Sequence, residues 1–205
     1  MQRIETRTAL ITIGCVVSGM AMAAAAMLIY QALHPYNKIP GGWSTIHGSV
    51  DEWTSWNGKI RGHTSTGESL LVSTKEYRDV TVSAYASTTN REASLAVRME
   101  DADNGYMAIF GPSATPAALE HGLFLIRRIG GQDQTLGTYH GRILNALGAS
   151  AKLTLRAKGP WLEVFINNKS VIRVKDKTFS SGFIGLRMYG TEEYPCDAAF
   201  SNLTF

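Results

Sequence analysis

The carboxylates are the first place to look for chemistry in this chain, and their spacing is that of turns. Glu100-Asp101-Ala102-Asp103 runs straight into Asn104-Gly105. Oxygen ligands at alternate positions can suit a calcium ion, which makes Asp101, Asp103 and Asn104 the candidate metal ligands. The Asn-Gly pair that follows favours a second reading, the tip of a hairpin. Glu192-Glu193, just before Tyr194-Pro195, reads as solvated loop charge. The histidines (His34, His47, His63, His121 and His140) have no metal-pair spacing on one strand or helix, and Cys196 is remote from all of them in sequence. No nucleophile-elbow motif anchors Ser-His-Asp chemistry. No catalytic residue is assigned and no cofactor is expected.

Aromatic side chains are the other group that could act. A flat ring can stack on the apolar side of a sugar, so Trp43, Trp53, Trp56 and Trp161, with Tyr106, Tyr139 and Tyr189, are candidate platforms. Trp56 and Trp161 sit beside strand-pattern residues and are expected in the core. Trp53 is expected to be exposed, and Trp53, Tyr106 and Tyr139 are the candidate ligand-binding residues.

The elements that must carry these residues divide the chain. It has 205 residues, 44% hydrophobic and 18% charged, with net charge +3. The apolar content excludes a disordered chain, and two cysteines exclude a disulfide scaffold. Residues 8–33 contain no Asp, Glu, Lys, Arg or His. As a helix they would span about 39 Å, enough for a bilayer's hydrocarbon core. Arg3 and Arg7 precede them, which orients residues 1–7 to the cytoplasm and the rest outside it. Ala21-Met22-Ala23 resembles a signal-peptidase site, but the apolar run continues through Tyr30, which favours a retained anchor. Gly14, Ser18, Ala21 and Ala25 share one face of that helix, with Gly19 and Ala23 beside them, a surface suited to packing against another membrane helix. Residues 34–42 are a Pro- and Gly-containing linker.

From Trp43 to Phe205 the apolar period is two. Val80, Val82, Ala84 and Ala86 alternate with polar neighbours, as do Leu153 and Leu155, and Leu162, Val164 and Ile166. Asn57-Gly58, Gly130-Gly131, Lys158-Gly159-Pro160 and Asn167-Asn168 mark turns. About twelve short strands without a convincing soluble helix predict an all-β, two-sheet antiparallel sandwich. Leu119 could begin only a single helical turn. Cys196 has no partner in this domain and is expected to be a free, buried thiol. Removing Arg3, Glu5 and Arg7 leaves the remainder near neutral with no basic block, which argues against a nucleic-acid partner.

The order of segments resembles the concanavalin A-like lectin/glucanase jelly rolls, closest to the 3-keto-disaccharide hydrolase-type and laminin-G-like domains. The segments that carry it are WNGKIRG at 56–62, SLLVSTKEYRDV at 69–80, the hairpin RMEDADNGYMAIF at 98–110, WLEVFIN at 161–167 and FSSGFIGLR at 179–187, closed by 199–205. The resemblance implies a jelly-roll sandwich over about residues 43–205. Glycosidases of that superfamily place acids as Glu-x-Asp-x-x-Glu on one strand, and no such run occurs here. The expectation is therefore a membrane-anchored, non-catalytic accessory subunit, its helix packed against an integral membrane complex, respiratory or photosynthetic, and its sandwich on the periplasmic side. The alternative, which follows from the resemblance, is a membrane-tethered carbohydrate-binding or glycoside-processing domain with a glycan as ligand.

Overall fold

A computed structural model describes residues 39, 41–89, 91–111, 122–141, 143 and 149–205. The segment 8–33, its face of Gly14, Ser18, Gly19, Ala21 and Ala25, and the turn at Leu119 all lie outside the described residues. No helix among the described residues is long and apolar enough to cross a membrane.

The described chain is almost wholly strand. β1 spans Trp43–His47, and a short 3-10 turn at Val50–Glu52 leads into β2 (Trp53–Trp56), β3 (Lys59–Thr64), β4 (Gly67–Tyr77) and β5 (Val80–Thr89). Then come β6 (Glu92–Met99), β7 (Gly105–Phe110), β8 (Leu123–Ile129), β9 (Gln132–Tyr139) and β10 (Ala151–Lys158). The last four are β11 (Trp161–Ile166), β12 (Lys169–Lys175), β13 (Gly182–Gly190) and β14 (Cys196–Thr204). Fourteen strands thus replace the expected twelve or so, because β1, β2 and β9 are short or polar and carry weak alternation.

They form two seven-stranded antiparallel sheets. Sheet I has the order β12-β11-β10-β5-β14-β3-β2, and sheet II the order β1-β4-β13-β6-β7-β8-β9. The period-two residues meet between them. Val82, Ala84, Leu153, Leu155, Leu162 and Val164 from sheet I pack on Leu71, Leu95, Val97, Leu125, Ile184 and Leu186 from sheet II. Cys196 is a free thiol in this core. The all-β sandwich is as expected, and the turns form where read. Asn57-Gly58, Gly130-Gly131 and Asn167-Asn168 each have φ positive at both positions, as a type I′ hairpin requires.

Sheet II is strongly curved. Arg128 on β8 donates to Glu68 on β4 at 2.6 Å, although four strand steps separate them. A flat sheet would hold those strands about 19 Å apart. The outer side of sheet II is therefore a concavity, and a second apolar cluster of Leu70, Val72, Ala96, Met107 and Ile126 forms its floor.

One bulge redirects a charge. Between β6 and β13 the register slips, and Arg98 takes φ +52°. A one-residue slip exchanges faces. Met99 turns to the concavity, and Arg98 is buried at the end of the sandwich.

Candidate functional site

The residues expected to bind do not come together. Trp53 is only 3% exposed, and its indole N–H donates to Ser69 Oγ at 2.7 Å. This corrects its expected exposure: Trp53 shares the inward parity of Ser55 on β2. Tyr106 is fully buried, its hydroxyl bonded to Asp176 at 2.6 Å. Tyr139 is half-buried against the core, as is Trp43. Asp101, Asp103 and Asn104 build a hairpin tip. Asp101 Oδ1 accepts from the Asp103 N–H at 2.7 Å and the Asn104 amide at 2.9 Å, and Asn104 Oδ1 accepts from the Gly130 N–H at 3.0 Å. Those oxygens are engaged in the turn, and no group of three or more His, Cys, Asp or Glu among the described residues could hold a metal ion.

The acids of the concavity are already paired. Glu68 binds Arg128 and Arg187, Arg187 also binds Glu92 at 3.3 Å, and Arg128 also binds Asp133 at 2.6 Å. Burial by itself would raise the Glu68 pKa. Attraction from Arg187 and hydrogen bonds from Arg128 and Arg187 outweigh it and hold the carboxyl below its ordinary value. The Arg128 guanidinium is held charged, first by its hydrogen bond to Asp133 and then by Glu68. Glycoside hydrolysis needs one carboxyl that stays protonated to donate to the leaving oxygen. Glu68 is tuned the opposite way.

The exposed tryptophans lie instead on the outer side of sheet I, where Trp161 is 40% and Trp56 55% exposed. This corrects the expectation that both are core residues. On β11 the inward set is Leu162, Val164 and Ile166, so parity sends Trp161, Glu163 and Phe165 outward. The same parity on β2 turns Trp56 out with Thr54. The alternation of Leu162, Val164 and Ile166 was visible in the sequence and carried this signal.

Trp161 stands at the head of the β10–β11 hairpin. Gly159 has φ +52° at the first turn position, which suits glycine, and Pro160 follows. Strand register places Lys158 and Lys175 on either side of Trp161, and Arg156 and Arg173 on either side of Glu163. Glu163 binds both arginines. The Arg173 guanidinium also lies over the indole, 4.5 Å from the ring centroid. Asp79, Arg156, Lys158, Gly159, Trp161, Glu163 and Arg173 line an open depression of about 420 Å³, within the size range of small-ligand sites.

The turn is fixed from below. Asp79 accepts from the Gly159 N–H at 2.8 Å, and Arg98 donates to the Gly159 carbonyl at 2.8 Å. Arg98 also donates to the carbonyls of Arg78 and Phe179, at 2.9 and 3.1 Å. A second depression, between β2–β3 and β14–β5, carries an exposed His63–Asp197 pair at 2.8 Å but no exposed aromatic ring.

A two-sheet antiparallel jelly roll with one strongly curved sheet defines the concanavalin A-like class. Among solved structures, the chain is similar to carbohydrate-binding module CBM66 from Bacillus subtilis, with TM-score 0.66 and 23% identity over 80% of this chain and 94% of that one. It is similar to Bacillus licheniformis β-glucanase, with TM-score 0.60 and 10% identity over 82% and 93%. It is also similar to the Emp46p carbohydrate recognition domain, with TM-score 0.57 and 12% identity over 78% and 87%. The sequence matches no protein-family model and no curated protein. These likenesses establish the fold. They also correct the expectation of an accessory subunit of a membrane complex: the similar structures include carbohydrate-binding domains and glucanases, which favours the alternative, and partner membrane proteins have no support.

Proposed function

We propose that this chain is a carbohydrate-binding domain that holds a glycan in the depression beside Trp161. The observation that carries the reading is the exposed indole of Trp161 on the open face of sheet I, ringed by hydrogen-bonding side chains on a fixed hairpin. Apolar ring surface takes the carbon face of a pyranose, and the surrounding guanidinium and ammonium groups donate to its oxygens. The fold, shared with carbohydrate-binding modules, supports this reading. Binding without hydrolysis is favoured over glycoside processing because Glu68, the buried acid of the concavity, is locked in its ionised form between two arginines. The uncharged segment 8–33 would tether the domain outside the cytoplasm.

Titration calorimetry and retardation in polysaccharide-containing gels test this. Trp161→Ala is expected to weaken glycan binding by about tenfold or more, as truncation of a central tryptophan commonly does, while Trp56→Ala leaves it unchanged. No sugar should be released from the bound polymer. Equal binding by wild type and Trp161→Ala would refute the site.

A further inference from the structure

The cations of this domain are scattered in sequence, and folding gathers them. Arg156 and Lys158 are two residues apart on β10, and Arg173 and Lys175 are two residues apart on β12. Strands two apart in the sheet thus each send a pair of cations outward, with Trp161 and Glu163 between them. Around the Gly159–Pro160 turn, Arg78 and Lys177 line an adjoining depression and extend the patch. Four Lys and Arg side chains therefore flank the Trp161–Glu163 pair on the sheet, and two more line the adjoining depression.

The acids nearby are already engaged. Glu163 is shared by Arg156 and Arg173. Asp79 holds the Gly159 amide and Arg98. Asp176 holds Tyr106, Arg127 and the Thr178 amide. Lys158 and Lys175 flank Trp161 and form no ion pair among the described residues, and the Lys175 ammonium lies over the indole, 5.9 Å from the ring centroid. A neutral sugar has no use for this excess of positive charge, whereas an anionic one complements it.

We propose that the glycan held at Trp161 is an acidic polysaccharide, whose carboxylate, phosphate or sulfate groups pair with Lys158 and Lys175 while a sugar ring packs against the exposed part of the indole. This inference rests on the glycan-binding reading and names its ligand class. Single-stranded nucleic acid is a poorer match, since it is bound along a series of stacked aromatics and Trp161 is the one aromatic that lines the depression.

The test uses the full-length protein in mild detergent, with polygalacturonate, its fully methyl-esterified form, dextran, dextran sulfate, a single-stranded oligonucleotide and anionic phospholipid vesicles as probes. Polygalacturonate or dextran sulfate should bind on the order of tenfold tighter than the uncharged polymers, with affinity falling as salt rises. Lys158→Glu combined with Lys175→Glu should remove that preference, and the two exposed positions leave the thermal transition intact. Salt-independent binding of dextran or the methyl ester that equals or exceeds the acidic forms would overturn the acidic-ligand inference and leave the glycan reading standing. No binding to any polysaccharide would overturn both. Preference for the oligonucleotide or the vesicles over every polysaccharide would also overturn the inference.

Discussion

Arg98 donates to the carbonyl of Gly159 at 2.8 Å, tying a buried bulge of sheet II to the hairpin of sheet I that carries Trp161. Asp79 takes the N–H of the same glycine at 2.8 Å, so the peptide group on each side of Gly159 has a fixed partner. Arg98 adopts a positive φ, uncommon for a residue with a side chain, and its guanidinium hydrogen bonds hold it there. The turn that carries the exposed indole is thus held by a buried charge 61 residues from Gly159 in sequence.

Replacing this group tests the coupling. Arg98→Met should destabilise the domain by about 2–4 kcal/mol, because three carbonyls lose a charged donor in a buried setting. Urea unfolding measures the loss. Glycan affinity measured well below the unfolding transition should fall as well, since the turn beneath Trp161 is released.

Glu68 should contribute to acid sensitivity. Its folded pKa is held below the ordinary value of 4.5, so its contribution is complete above that pH and is lost as pH falls through the folded value. Glu68→Gln removes this titration. The variant should be less stable at neutral pH, by about 1–3 kcal/mol, yet show a flatter decline in urea midpoint below pH 4.5.

Alkaline sensitivity has a different source. Burial, with the hydrogen bond to Asp176, pushes the Tyr106 hydroxyl from 10.0 up to about 12. Between those values the unfolded chain releases a proton that the folded chain keeps, so stability declines as pH rises across the window. Tyr106→Phe should lose about 1–3 kcal/mol at neutral pH, because the Phe179 amide and Asp176 lose their shared partner. The variant should lack this component of the alkaline decline.

Cys196 should resist alkylation in the folded protein. It is fully buried, and burial raises its thiol above 9.0 despite the hydrogen bond with Thr88. Peptide-resolved mass spectrometry after iodoacetamide treatment should find Cys196 unmodified under native conditions and fully modified in denaturant. Rapid native labelling would mean the sandwich opens at β14.

Gly182→Ala should be among the costlier single changes. Its φ of +148° suits only glycine, and a Cβ there would lie 2.6 Å from the Arg98 carbonyl carbon. The expected loss is about 2–4 kcal/mol, measured as a fall in urea midpoint.

Local features of this fold were legible in the sequence because they depend on neighbours only. Asn57-Gly58 and Asn167-Asn168 announced their turns through a tolerance for positive φ, and Leu162, Val164 and Ile166 announced a strand with one buried face. The site was less legible, for two physical reasons. Trp53 and Trp161 are alike as residues, and only strand parity separates the buried one from the exposed one. The pairing of Glu68 with Arg128 depends on the curvature of sheet II, and the cation patch depends on β10 and β12 being two strands apart in space. Arg98 broke the alternation of β6 through a bulge that no local motif marked.

β12 is also an edge of sheet I, with no strand paired to its outer side among the described residues, and such an edge can pair with a strand from another molecule. Lys169, Arg173 and Lys175 lie along it. Two such edges approaching each other would bring like charges together, which disfavours edge-to-edge aggregation. The positive charge that suits an acidic ligand thereby also keeps copies of the protein apart, and variants stripped of it are expected to self-associate more readily even where their fold is intact.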